Sequence, residues 1–310
     1  MRRVLAWILS LCLLIAGGLA ASVPTGEAAS SSITVKDLAG RVVKFASVPK
    51  RVVVLGSGDL NTLQALGVSV VGRPTTTVPV SDELKKIPEV GNIHQPNFEK
   101  IVSLKPDVLI AGTSFQGYLQ KADSLGLKVV LTSGNSVDDI KDSISLLGKL
   151  FDKESKAKTI ISKIDKKVKK YSGAKTKVRA LIVFGAGSTA LVALPNSYAG
   201  DVLKKAGGEN VAADFPKIKE YPGYASLSSE RIVASDPDVI FVITHGNKSE
   251  TKKALIKVMS TSSWKNLRAV KNKRVVFLPN ELFAASPGVK VGQALDYLNK
   301  ELLKVKAKKR

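Results

Sequence analysis

Cysteine, histidine, methionine and tryptophan are nearly absent from this chain, with one, two, two and two in 310 residues. The lone Cys12 lies inside an N-terminal apolar run. Once that run is removed as a signal, no thiol remains, which excludes disulfides and thiolate metal sites. Two histidines leave no H-x-x-x-H or H-E-x-x-H pair for a zinc hydrolase. A hydrolytic triad would need one of them, and no G-x-S-x-G elbow accompanies either. Aromatics are only 5% of residues, and no nucleic-acid-binding motif punctuates the basic ones. The formal charge, 48 − 26 = +22, therefore reads as a solvated, lysine-rich surface, compatible with attraction to an anionic membrane or cell wall. No nucleic-acid partner is expected.

What is present begins with a targeting signal. Arg2 and Arg3 precede an apolar run from Val4 to Ala16, and small residues from Gly17 to Ser22 offer a cleavage site. The run is too short for a membrane span. Residues 1–21 read as a signal peptide and 22–32 as a flexible leader, so an exported protein is expected at the cell surface, in the envelope or in the periplasm. Leu11 precedes Cys12 where a lipid-modified cysteine would follow small residues, so a lipid anchor is not expected.

The mature part alternates strand and helix signals, which predicts an α/β fold. Ile33 to Phe45 reads as a hairpin around Gly40. Arg51 to Leu55 is a buried strand, Asp59 to Leu66 a helix closed by Gly67, and Val68 to Gly72 a further strand. A helix from Phe98 to Leu104 is entered through Pro96 and stops before Pro106. Strands at Asp107 to Ala111 and Lys128 to Leu131 flank a helix from Gln116 to Leu125. These residues form an N-terminal lobe over 33–136. An apolar stripe from Ile140 to Tyr171 gives a bridging helix over 137–173, unbroken or interrupted near Asp152. A C-terminal lobe over 174–310 follows, with strands at Val178 to Phe184, Val239 to Thr244 and Arg274 to Leu278. It closes on an amphipathic helix from Val289 to Val305.

The lobes share a repeat: Glu99-Lys100-Ile101-Val102-Ser103-Leu104-Lys105-Pro106-Asp107-Val108-Leu109 aligns with Glu230-Arg231-Ile232-Val233-Ala234-Ser235-Asp236-Pro237-Asp238-Val239-Ile240. Two α/β lobes joined by a long helix put a ligand cleft between them, beyond the carboxyl ends of the strands. His245 ends an apolar strand, and His94 lies in the loop leading into the matching helix of the other lobe. Both histidines can face that cleft. Gly185-Ala186-Gly187-Ser188-Thr189-Ala190 fits G-x-G-x-x-A, but the residues after it read as a strand rather than the helix that a dinucleotide needs.

From about Ile33 onward the sequence resembles substrate-binding proteins of the iron–siderophore, cobalamin and haem class of ABC importers. Within it, the chain is most similar to the Isd-type haem-binding lipoproteins of Gram-positive bacteria. The resemblance rests on Gly72-Arg73-Pro74-Thr75-Thr76, Val90-Gly91 with Gln95-Pro96-Asn97, and Asn196 to Asp201. It continues in Ala206 to Val211, Thr244-His245-Gly246 and Trp264 to Asn272. It implies two lobes of the class III binding-protein type and a non-enzymatic monomer that delivers haem to an ABC permease. The family's axial iron ligands are a Met in the first lobe and a His in the second. His245 falls on that His, and His94 stands where the family has Met. Two imidazoles then imply a six-coordinate, ferric-favouring site rather than the raised potential of thioether ligation. Thr75, Thr76, Thr77 and Tyr198 are implied as pocket residues, although the threonines also read as an ordinary polar loop. Glu99 and Glu230 are implied as permease-docking carboxylates, and read equally as helix-start acids favoured by the macrodipole. Ferric-siderophore or cobalamin binding is the alternative within the class. A chelatase-like enzyme, with His and carboxylates between two lobes, is the alternative outside it.

Overall fold

A computed structural model of the chain describes residues 32–76, 80–173, 175–186, 189–245 and 248–308. The expected signal peptide, nearly all of the leader, Cys12 and Thr77 lie outside the described residues. Two strands, β1 (Ile33–Lys36) and β2 (Val42–Phe45), pair antiparallel as the expected hairpin. Buried Asp37 ties it to the first lobe, because its carboxylate accepts from Arg41 and from the Leu131 amide.

The first lobe is a parallel sheet in the order β3 (Val52–Val54), β4 (Val108–Gly112), β5 (Val129–Thr132). Apolar residues run almost unbroken along these strands because helices cover both faces. The strand expected over Val68 to Gly72 does not form; only an isolated bridge joins Val53 to Gly72. The chain turns there to bridge Arg73 to Glu89 instead. Gly72 is required at the crossing, since a Cβ would lie 2.8 Å from Leu104 Cδ1 and 3.0 Å from Val90 Cγ1. Pro96 does not open the next helix. Asn97 caps Phe98–Ser103 by accepting from the Lys100 amide. The helix expected from Gln116 splits into a 3₁₀ turn, Thr113–Tyr118, and a short α-helix, Leu119–Ser124.

The stripe from Ile140 to Tyr171 is two helices, Val137–Leu150 and the longer Glu154–Ser172. Asp152, at φ 54°, reverses the chain between them. They lie side by side: a Cβ on Gly148 would meet Ala157 Cβ at 2.5 Å, and Lys141 pairs with Asp165 at 2.8 Å. The longer helix is anchored to the C-terminal helix Val291–Ala307, where Tyr171 and Lys167 both bond Asp296.

The second lobe holds a sheet in the order β11 (Val275–Phe277), β10 (Val239–His245), β6 (Arg179–Ala186), β7 (Thr189–Ala193), β9 (Tyr224–Ser226), with β8 (Glu209–Asn210) beside β6. The G-x-G-x-x-A stretch is a hairpin, with Gly185 opposite Ala190, so no helix N-terminus stands there for a pyrophosphate.

The repeated segment folds the same way in both lobes. The residue before proline is left-handed in each, Lys105 at φ 45° and Asp236 at φ 34°. The aspartate after proline then caps the neighbouring strand. Asp107 N donates to Arg51 O and its carboxylate accepts from the Arg51 amide. Asp238 N donates to Arg179 O and its carboxylate accepts from the Arg179 amide. One apolar core, from Val54 and Ile144 to Phe241 and Leu295, runs through both lobes.

Candidate ligand-binding cleft

His94 sits in a tight loop closed by an antiparallel bridge between Gly91 and Pro96. Asn92 Oδ1 accepts from the His94 amide at 2.9 Å and from the Gln95 amide at 3.1 Å. From the other side, the Tyr118 hydroxyl donates to His94 O at 2.8 Å. Gly91 makes the loop passable: its φ is +85°, and a Cβ would lie 2.2 Å from Gln95 O. The backbone is thus held while the residue stays exposed.

His245 is placed by a different device. It ends β10, in register with Ala186 of β6, and its ring stacks on Phe184 at 5.8 Å and 29°. Phe184 in turn packs on Tyr224 at 5.5 Å. The preceding Thr244 hydroxyl donates to Asn280 Oδ1 at 3.0 Å, which ties the strand end to the Asn280–Phe283 helix.

Both histidines line one cleft of about 490 Å³. Its apolar wall includes Leu55, Leu60, Pro74, Ile93 and Ala284, and its polar groups include Thr75, Thr76, Asn280, Glu281 and Lys290. Thr75 and Thr76 are thus brought to the cleft. Tyr198 is not: its hydroxyl turns inward and donates to Leu282 O at 2.9 Å. Burial, with Asp201 nearby, pushes that phenol well above its usual pKa. Tyr198 therefore braces the turn that carries Asn280 and Glu281. Glu99 and Glu230 also lie off the cleft, each exposed at the second position of the matched helices Phe98–Ser103 and Ser229–Ser235.

Sequence reasoning missed two parts of the lining. Ser57, Asn61 and Gln64 stand at i, i+4 and i+7 along the Ser57–Leu66 helix and all reach the cleft. That polar stripe on a helix otherwise buried was the available signal. The second part is the segment 284–290, which approaches the same helix from the other lobe. Beside the cleft, the Asp59 carboxyl packs over Gly56, and burial raises its pKa to about 6 against a hydrogen bond from Thr132 that lowers it. Among the described residues no three His, Cys, Asp or Glu side chains gather into a metal-chelating group. A bare ion has no ligand set here, whereas an iron already held by four equatorial donors needs only two axial ones.

The chain matches the family model described as periplasmic binding protein over residues 52–282. It is 30% identical, over 243 residues, to the high-affinity heme uptake system protein IsdE of Staphylococcus aureus, covering 76% of this chain and 82% of that protein. The crystal structure of S. aureus IsdE complexed with heme is similar at a TM-score of 0.73 and 29% identity, over 81% of this chain and 98% of the other. S. aureus SirA complexed with staphyloferrin B is similar at 0.70 and 27%, over 87% and 98%. An ABC transporter substrate-binding protein from Listeria monocytogenes is similar at 0.72 and 25%, over 82% and 99%. With two matched α/β lobes around one cleft, and a family model spanning most of its length, this chain belongs to the periplasmic binding protein family, as a non-enzymatic substrate-binding protein of the ABC-importer type.

Proposed function

We propose that the chain binds haem in this cleft, with iron between His94 and His245, and delivers it to an ABC permease outside the cytoplasm. One observation carries the reading: the only two histidines of the chain, one from each lobe, line the same cleft. Each offers a neutral imidazole at neutral pH, a good axial ligand for ferric iron. The apolar wall suits a flat porphyrin, and Thr75 and Thr76 stand at its polar margin. Glu99 and Glu230 serve as the two docking carboxylates for the permease. The likeness to IsdE, described as a heme uptake protein and solved with heme, supports the same reading.

The likeness to SirA, solved with staphyloferrin B, favours a second reading, a ferric siderophore. Siderophores with oxygen donors enclose iron in a strongly anionic shell, which calls for a cluster of cations. Among the described residues the cleft lining has Lys290 alone, with Glu281 also present. That composition favours haem.

Titration of the purified protein with haem decides between the readings. A saturable low-spin spectrum at one haem per chain is expected, lost in His94→Ala and in His245→Ala. The loss in affinity should exceed the roughly 10- to 100-fold that follows loss of an outer-sphere partner of a metal ligand. No saturable change with haem, together with fluorescence quenching by a ferric siderophore, would establish the second reading instead.

A further inference from the structure

Lys290 is the one cation lining the cleft among the described residues, and nothing among them pairs with it. Glu281, the acid of the same lining, sits on the Asn280–Phe283 helix and makes no ion pair with it. A half-buried ammonium without a counter-charge is costly unless an anion arrives to meet it.

The backbone that presents Lys290 is fixed from both sides. Gly288, at φ +57°, lies so close to the Ser57–Leu66 helix that a Cβ would be 2.0 Å from Gly58 O and 2.6 Å from Thr62 Oγ1. A Cβ on Gly58 would be 2.4 Å from Ser286 O, and one on Gly134 would be 2.4 Å from the Ser286 side chain. Asn61 Nδ2 completes the seam by donating to Pro287 O at 3.2 Å. Three glycines and one amide thus hold the segment 284–290 against the first lobe. Facing it, Ser57 and Gln64 bring uncharged polar groups to the same floor.

We propose that Lys290, with Ser57 and Gln64 opposite, forms a carboxylate subsite at the floor of the cleft. The proposal rests on the haem reading, in which the ligand's two propionates supply the carboxylates. The subsite orients the disc so that its apolar edge meets Leu60 and Ile93 while a propionate meets the ammonium. A charge-assisted hydrogen bond of this kind is directional and about twice as strong as a neutral one.

The test compares haem with haem dimethyl ester, which keeps the ring and the iron but has no carboxylate. Both are titrated at pH 7.5 into the wild type, Lys290→Met and Lys290→Arg, with circular dichroism confirming the fold. The wild type should bind haem about tenfold more tightly than the ester. Lys290→Met should weaken haem about tenfold, leave the ester unchanged and so erase the discrimination; Lys290→Arg should restore it. Equal weakening of both ligands would make Lys290 a structural residue and overturn the subsite. Unchanged binding of both would overturn it as well. In those two cases a saturable haem spectrum in the wild type leaves the haem reading standing. A wild type that binds neither ligand removes the haem reading, and the subsite falls with it.

Discussion

The two lobes use one repeated unit and reach the cleft by opposite means. In each, a short helix ends on a left-handed residue, proline restarts the chain, and aspartate caps the adjoining strand. The histidines do not follow that symmetry. His245 continues the β10 strand that follows the repeat and inherits its position from a parallel sheet, with Phe184 under its ring. His94 precedes the repeat and depends on a four-residue loop, one glycine and one asparagine. A duplicated scaffold therefore guarantees two facing walls, but not two equivalent ligands. The sheet-borne histidine is held by many cooperative bonds, the loop-borne one by few.

The repeat itself can be broken unequally. Asp238 is 1% exposed, with Arg268 at 3.6 Å, whereas Asp107 lies at the surface. Asp238→Ala strands the Arg179 amide in the core and should cost about 2–3 kcal/mol, against about 1 kcal/mol for Asp107→Ala. Urea melts of both variants check this, and equal costs would mean that the caps are not what stabilises the strand starts.

Charge sharpens the comparison within the first lobe. Burial raises the Asp59 pKa to about 6, so between pH 4 and 6 the folded state holds a proton that the unfolded state has released. Stability should fall as pH rises through that window, by on the order of 2 kcal/mol. Asp59→Asn should flatten the slope and melt higher than wild type at pH 7. Asp107 works in the opposite sense: bonds from the Arg51 and Lys50 amides hold its pKa below the usual range. Its contribution is present above the ordinary carboxylate pKa and is lost as pH falls through the lowered one. Thermal melts from pH 3 to 7 separate the two, and an unchanged slope in Asp59→Asn would refute the first.

The loop that carries His94 should be the softer wall. Gly91→Ala forces a side chain into a left-handed position facing Gln95 O and should cost about 1–2 kcal/mol. Haem affinity should drop while the β10 side is untouched, so the spectrum should lose one axial ligand rather than both. Absorbance titration beside a melt checks this. The smallest effect on the chain itself is expected at Glu99 and Glu230. Their alanine variants should change stability by less than about 0.5 kcal/mol and leave haem binding intact. Uptake by cells carrying the permease should fall, and a change in binding instead would remove the docking role.

The sequence alone determined the parts governed by neighbouring residues. The hairpin, the strand runs, the Gly67 and Gly207 stops and the Pro-Asp repeat were legible because propensity, periodicity and turn chemistry act over a few positions. The failures also have local causes. Val68 to Gly72 has a strand's composition, but the crowding at Gly72 comes from Leu104 and Val90, which are distant in the chain. The break near Asp152 was visible, but its left-handed φ, which turns one rod into a hairpin of helices, was not. Tyr198 matched a family pattern, yet Leu282 O claimed its hydroxyl. Only the tertiary structure decided that His94 and His245 line one space, and that Lys290 is held over Ser57 and Gln64 by a seam of glycines. Those relations join segments far apart in the chain. They depend on how closely two backbones can approach, a quantity that no local pattern encodes.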